Sequence, residues 1–227
     1  MKNSLGQNLK IQVGFLDESD IKPENKKQIE LQTAEFKKLV WEFGESYFRN
    51  LNRRFIVDNA NQQFLDIVCK YFANDKSFEE ITGGELRKGL FIYGPCGTGK
   101  SSTLEIITNI SKQYQLKSLW FRNISVHTVI KEFNLKGEKS TEKYTEGTVH
   151  FEDLGMERIA QSWGVKENLF ERLLQIRYNN FKLKGTKTHI TSNLTPNALE
   201  KHYGRQISDR AIEMFNFIHL PGKSRRY

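Results

Sequence analysis

From residue 55 onward, short apolar runs alternate with stretches of helical periodicity. Leu90–Tyr93, Ser118–Phe121, Thr148–Glu152, His189–Thr191 and Phe217–Leu220 read as strands, with helices filling the gaps between them. Upstream, to about Arg54, no strand pattern exists. There Phe36, Val40, Phe43 and Tyr47 recur at helical spacing with Lys37, Lys38, Glu42 and Glu45 between them, which predicts one amphipathic helix. Asp58 is placed to cap a second helix carrying Phe64, Ile67, Val68, Tyr71 and Phe72, which ends near Asn74 and Asp75. Before Pro23 the chain reads as an arm whose apolar residues, Ile11, Val13, Phe15 and Leu16, could dock on a partner or on the protein itself. Gly137 to Gly147 is polar and charged and reads as a loop. Alternating strands and helices of this length predict an α/β fold with a five-stranded parallel sheet, helices on both faces and ligands at the strand C-terminal ends. The division expected is a helical N-terminal segment over 1–54, docking a partner, and a main domain over 55–227.

The chain has 227 residues, 37% hydrophobic and 12% aromatic, which is ample for one packed α/β core. Its net charge of +8 and pI near 9.3 favour a polyanionic partner, nucleic acid first, with a solubilising basic surface as the alternative. Cys69 and Cys96, the only cysteines, exclude a disulfide framework and a cysteine metal cluster and fit a reducing compartment. The start Met1-Lys2-Asn3-Ser4 opens no apolar signal region, and no apolar run approaches the roughly 18 residues of a membrane span, so a cytoplasmic protein without membrane contact is expected.

Three segments carry chemistry. Gly94-Pro95-Cys96-Gly97-Thr98-Gly99-Lys100-Ser101 satisfies G-x-x-x-x-G-K-[ST], between the strand Leu90–Tyr93 and a helix running through Leu104 and Ile107. Glycines let backbone N–H groups point inward at phosphate oxygens, and the following helix, from Ser101-Ser102, presents its positive end to the same charge. Lys100 is positioned for the β- and γ-phosphates, and the Ser101 hydroxyl for Mg²⁺ bridging them, so ATP and Mg²⁺ are the expected ligands. Val149-His150-Phe151 leads into Glu152-Asp153, adjacent carboxylates that can share holding the metal and polarising an attacking water. Thr188-His189-Ile190-Thr191 ends in Ser192-Asn193, where Asn193 could orient that water or sense the γ-phosphate. Thr195-Pro196 then starts a helix, and Arg205, Arg210, Arg225 and Arg226 near the C-terminus suit phosphate contacts or a solvated basic tail.

The order of these motifs over roughly residues 55–227 resembles the AAA+ ATPases, and within them the DnaC/DnaI-type helicase loaders and the IstB-type transposition ATPases. The match is carried by the phosphate loop, Glu152-Asp153-Leu154-Gly155, Arg177-Tyr178 on a helix and Thr191-Ser192-Asn193. The segment Arg53-Arg54-Phe55-Ile56-Val57-Asp58 through Tyr71-Phe72, followed by Lys88-Gly89-Leu90, is also similar to loader ATPases of phages and mobile elements. The resemblance implies a three-layer P-loop fold with the helical lid absent or truncated. It implies Arg210 as an arginine finger acting in a neighbouring subunit, Arg205 as a second interface arginine, and Arg226 as a nucleotide sensor with Arg225 as the alternative. Core packing could equally explain Arg177-Tyr178. One departure is that Glu precedes Asp in the acidic pair, from which slow hydrolysis is expected.

The resulting expectation is an ATP-dependent loader that oligomerises, binds single-stranded DNA and engages a replicative helicase through its N-terminal helix. Arg122, Lys131, Lys136, Lys139 and Lys143 are the candidate DNA contacts, with Phe133 stacking on bases and a solvated loop as the alternative. The other readings are an IstB-like transposition regulator working with duplex DNA and a transposase, and a nucleotide-gated scaffold with little hydrolysis.

Overall fold

The computed structural model describes residues 31–162 and 165–226; the arm before Pro23 lies outside them. The elements run α1 (Thr33–Asn50), α2 (Gln62–Phe72), α3 (Ser77–Thr82), β1 (Gly89–Tyr93), α4 (Lys100–Gln113), β2 (Arg122–Ser125) and α5 (Val126–Lys136). They continue with β3 (Val149–Leu154), β4 (Ala160–Ser162), β5 (Val165–Glu167), α6 (Leu169–Lys184), β6 (Thr188–Ser192), α7 (Pro196–Tyr203), α8 (Arg205–Met214) and β7 (Phe215–His219).

Five strands form one sheet in the order β2-β3-β6-β1-β7, every pair parallel, and β4 and β5 make a separate antiparallel hairpin. Because side chains alternate across a strand, β1 sends Leu90 and Ile92 to one face and Phe91 to the other. The first face packs under α1, α2 and α4 through residues such as Phe36, Val68 and Ile107, and the second under α5, α6 and α8 through Val129, Leu173 and Ile207. This is the three-layer sandwich with a five-stranded parallel sheet that the alternation of elements predicts.

The structure departs from the sequence reading at several points. The second strand is Arg122–Ser125 rather than Ser118–Phe121. Lys117–Leu119 is a 3₁₀ turn, Trp120 is half exposed, and the true strand is a half-buried edge whose polar sequence lacks an apolar signature. The last strand begins two residues earlier than Phe217, and the loop expected over Gly137–Gly147 contains a 3₁₀ helix with Tyr144 buried. Asn61, not Asp58, precedes α2; Asp58 forms the turn before it, accepting the Ala60 N–H at 2.9 Å on its carboxylate and the Gln62 N–H at 2.8 Å on its carbonyl. Phe133 is buried in the core and is no platform for bases. Arg122 donates to the Lys143 carbonyl and Lys143 pairs with Glu132, whereas Lys131, Lys136 and Lys139 are exposed. The apolar face of α1 is committed to the core beside α2 and α4, so only its outer face is open to a partner. No helix among the described residues is long and apolar enough to cross a membrane.

One buried cation holds the second layer together. Arg177, fully buried, donates to the Thr188 hydroxyl at 2.6 Å and to the Tyr144, Gly147 and Lys187 carbonyls at 2.6, 2.8 and 2.7 Å. Burial pulls its pKa down to about 10, so it stays charged at neutral pH. Replacing it strands three carbonyls, so Arg177→Met is expected to cost at least about 3 kcal/mol, read as a lower urea midpoint at unchanged m-value.

Two buried histidines set an acid limit. His150 is pushed down to about 3 by burial, and His189 well below 6.5 by burial and by neighbouring positive charge. The unfolded chain binds these protons as pH falls below 6.5 while the folded chain refuses them, so stability is full above that pH and declines beneath it. Below pH 6.5 the loss from each should steepen toward a limit of roughly 1.4 kcal/mol per pH unit near pH 5, and His189→Asn should halve the slope in denaturant titrations.

Candidate nucleotide-binding site

The turn after β1 is shaped by glycines that no other residue could replace. At Gly94, with φ 150°, a Cβ would meet the Leu220 carbonyl oxygen at 2.1 Å, and at Gly97, with φ 78°, it would meet Ser224 at 2.4 Å. The loop is therefore clasped by the segment after β7, and the Arg225 N–H donates to the Gly97 carbonyl at 2.9 Å. Above it opens a cleft of about 400 Å³ that brings together Cys96 through Ser102, Glu152, Asp153, Asn193 and Arg226. Gly94 and Pro95 contribute from beneath through their carbonyls.

Lys100 is nearly buried and donates to Gly94 O and Pro95 O, each at 2.8 Å, and to Asn193 Oδ1 at 2.9 Å. Burial lowers its pKa, Arg226 adds to this, and Asp153 and Cys96 oppose it. The adjacent β1 and β6 deliver the loop and Asn193 side by side, so one ammonium bridges both. Ser192 has a structural task instead, its hydroxyl donating to Leu154 O at 2.6 Å and accepting the Leu194 N–H at 2.9 Å.

The acidic pair lies within β3, at an irregularity of its pairing. Pairing with β6 shifts register between Phe151 and Leu154, and Asp153 adopts φ 60°, a left-handed conformation uncommon outside glycine that re-aims its side chain. Burial pushes the Glu152 carboxyl above the usual range; the nearby Ser101 hydroxyl opposes this, and Glu105 and Asp153 push it up again. A hydroxyl and two crowded carboxylates facing a phosphate loop suit Mg²⁺, which takes one or two carboxylates and completes its octahedron with phosphate oxygens and water. Among the described residues no group of three or more His, Cys, Asp or Glu forms a self-sufficient metal cage. Bound there, the ion would offset charge on the transferring phosphoryl group.

Sequence reading missed the cleft's other wall. Tyr47, Arg53, Arg54, Phe55 and Ile56 line it. Tyr47 donates to the Glu105 carboxylate of α4, and burial with this contact pushes its phenol up to about 12. The Arg53–Ile56 run was legible only as a family likeness, because nothing in its composition signals a ligand.

The four C-terminal arginines separate. Arg225 is tied down, its guanidinium on the Asp58 carboxylate at 2.8 Å, an interaction that holds that carboxyl below its usual range. Arg226 is exposed at the cleft. Arg205 is exposed on α8 beside Asp209, and neither it nor Arg210 lines the cleft. Arg210 sits 5.1 Å over the Tyr178 ring, with Nη1 buried and without a hydrogen-bond partner among the described residues.

No family model matches the chain. Over 184 residues, 80% of this chain, it is 24% identical to the chromosomal replication initiator protein DnaA of Ureaplasma parvum serovar 3, and it spans 39% of that curated relative. A crystal structure of a candidate primosome component from Streptococcus pyogenes serotype M3 superposes with TM-score 0.53 at 19% identity, covering 74% of this chain and 84% of that one. The crystal structure of DnaI gives 0.52 at 21%, covering 75% and 87%. The chain thus has the AAA+ P-loop fold, with DnaI and a primosome component among its structural neighbours and DnaA as a distant relative in sequence.

These positions predict different outcomes for adjacent arginines. Arg226→Ala should weaken ATP binding about tenfold in calorimetric titration, the loss of one charge-assisted phosphate contact, with the melting temperature unchanged. Arg225→Ala should lower the melting temperature, because it removes the guanidinium contact with Asp58 that anchors the segment clasping the phosphate loop.

Proposed function

We propose that this protein is an ATP-dependent helicase loader of the DnaC/DnaI type, which binds ATP and Mg²⁺, assembles into oligomers and grips single-stranded DNA. The observation that carries the nucleotide part is the convergence of Lys100, Ser101, Glu152, Asp153 and Asn193 on one cleft over a glycine-shaped loop. In this reading Lys100 leaves the loop carbonyls for the β- and γ-phosphates, Ser101 and Glu152 hold the metal, Asp153 and Asn193 orient the attacking water, and Arg226 touches the phosphates. Hydrolysis joins the water oxygen to the γ-phosphorus and breaks its bond to ADP, the water's proton passing to a carboxylate.

Assembly in trans is supported by Arg210, which does not line its own cleft and makes no ion pair among the described residues. The loader role is supported by the likeness to DnaI and to a primosome component, and single-stranded DNA by the basic balance of +8 and the exposed Lys131, Lys136 and Lys139. The reversed Glu152-Asp153 order and the left-handed Asp153 favour slow turnover that sets assembly rather than drives a motor.

The test is ATP turnover with and without single-stranded and duplex DNA, across protein concentrations. Expected are stimulation by single strands, a rate per subunit rising with concentration, and loss of turnover in both Lys100→Ala and Arg210→Ala, the latter by about a thousandfold with ATP binding retained. Mixing the two variants should restore part of the activity, because each supplies what the other lacks. Duplex-selective stimulation would favour the transposition regulator, and binding without turnover the nucleotide-gated scaffold.

A further inference from the structure

A chain of buried polar groups runs from the sheet edge to the phosphate loop, and the direction of every hydrogen bond in it can be deduced. Thr108 donates its only hydroxyl proton to the Leu104 carbonyl at 2.9 Å. Its oxygen can then only accept from Asn123 Nδ2, also at 2.9 Å, which turns Asn123 Oδ1 toward His150 Nδ1 at 2.8 Å. A carbonyl oxygen cannot donate, so His150 carries its proton on Nδ1. The ring is 1% exposed and makes no carboxylate contact, so it holds one proton and Nε2 is bare. Nε2 must accept from the Thr191 hydroxyl at 3.0 Å.

Thr191, with its proton committed, has only lone pairs left for Ser101 Oγ at 3.2 Å and for the Asp153 N–H at 3.4 Å. Ser101 must therefore donate toward Thr191, into the sheet. Were its proton turned to Glu152 instead, two hydroxyl oxygens would face each other lone pair to lone pair.

We propose that His150 is a positioning residue for metal binding: fixed as the Nδ1–H tautomer by Asn123, it makes Thr191 take the Ser101 proton and leaves the Ser101 lone pairs open to a divalent cation. This rests on the reading of the cleft as an ATP and Mg²⁺ site. Its consequence is that Ser101 and Glu152 both present bare oxygens to the same space before the ion arrives. Without the relay, Ser101 donates to Glu152, and that hydrogen bond must break before either oxygen can serve the metal.

Two measurements test this. Nitrogen-15 spectra of histidine-labelled protein, without nucleotide or metal and assigned by loss of one resonance in His150→Asn, should show His150 protonated on Nδ1 with Nε2 bare. ATP affinity is then measured in excess Mg²⁺ and in EDTA. Thr191→Val should keep its EDTA affinity while the gain conferred by Mg²⁺ falls about tenfold, and Thr191→Ser, which retains the hydroxyl, should keep that gain. Asn123→Ala, at the sheet edge, should reduce the gain in the same direction and serves if Thr191→Val does not fold. An Nε2–H or doubly protonated His150, or an undiminished Mg²⁺ gain in Thr191→Val or Asn123→Ala, overturns the proposal. Wild-type protein that binds no ATP would overturn the nucleotide reading instead, and the tautomer, which needs no ligand, would still decide whether the relay exists.

Discussion

The site depends on how the ammonium of Lys100 is accommodated. A nearly buried cation needs acceptors, and this one finds two loop carbonyls and the Asn193 side chain at hydrogen-bond distance. That triad is possible only because β1 and β6 are neighbours in the sheet, although 94 to 187 separate them in sequence. The crossover order β2-β3-β6-β1-β7 is thus the condition for loop, acids and polar sensor to share one cleft. It also means that the loop is held in shape by Lys100 itself, through the Gly94 and Pro95 carbonyls.

The first layer is coupled to that cleft more closely than a detachable docking segment would be. Phe36, Leu39 and Val40 of α1 lie in the same core as Leu104 and Ile107 of α4, the helix that opens with Lys100. Gly44 leaves room for the Phe55 ring, which a Cβ there would meet at 2.8 Å, and this fixes the return of the chain past the cleft. Tyr47 reaches Glu105 from the same helix. A movement of α1 would therefore be felt at the cleft wall, and the exposed face of α1, not its apolar one, is the surface left for a partner.

What could be read in advance was what local chemistry dictates. The phosphate loop, β1, β3 and β6 combine apolar strands with turn residues whose roles are set by spacing, and Thr195-Pro196 starts α7 as helix capping requires. The β2 edge was misplaced because Ser118–Phe121 is more apolar than the real strand, while Arg122–Ser125 is held by pairing with β3 rather than by burial. The β4–β5 hairpin carries no turn signature strong enough to announce it. His150 was legible only as a polar residue in an apolar strand; its meaning depends on Asn123 and Thr191, brought to it by strands on either side. Arg177 was ambiguous for the same reason, since its four acceptors come from two segments, Tyr144–Gly147 and Lys187–Thr188, distant in sequence from each other.

Arg210 is held by an aromatic ring rather than by an ion pair. Its guanidinium stacks on Tyr178, whose hydroxyl donates to Glu213 at 3.0 Å, so the ring is fixed and the arginine is oriented by a contact that uses none of its hydrogen bonds. Its buried N–H has no acceptor among the described residues, an arrangement that costs free energy. Arg177, equally cationic and more deeply buried, has an acceptor for each of its three nitrogens. The contrast separates an arginine that completes its own fold from one placed by an aromatic ring and left with a donor unmatched among the described residues.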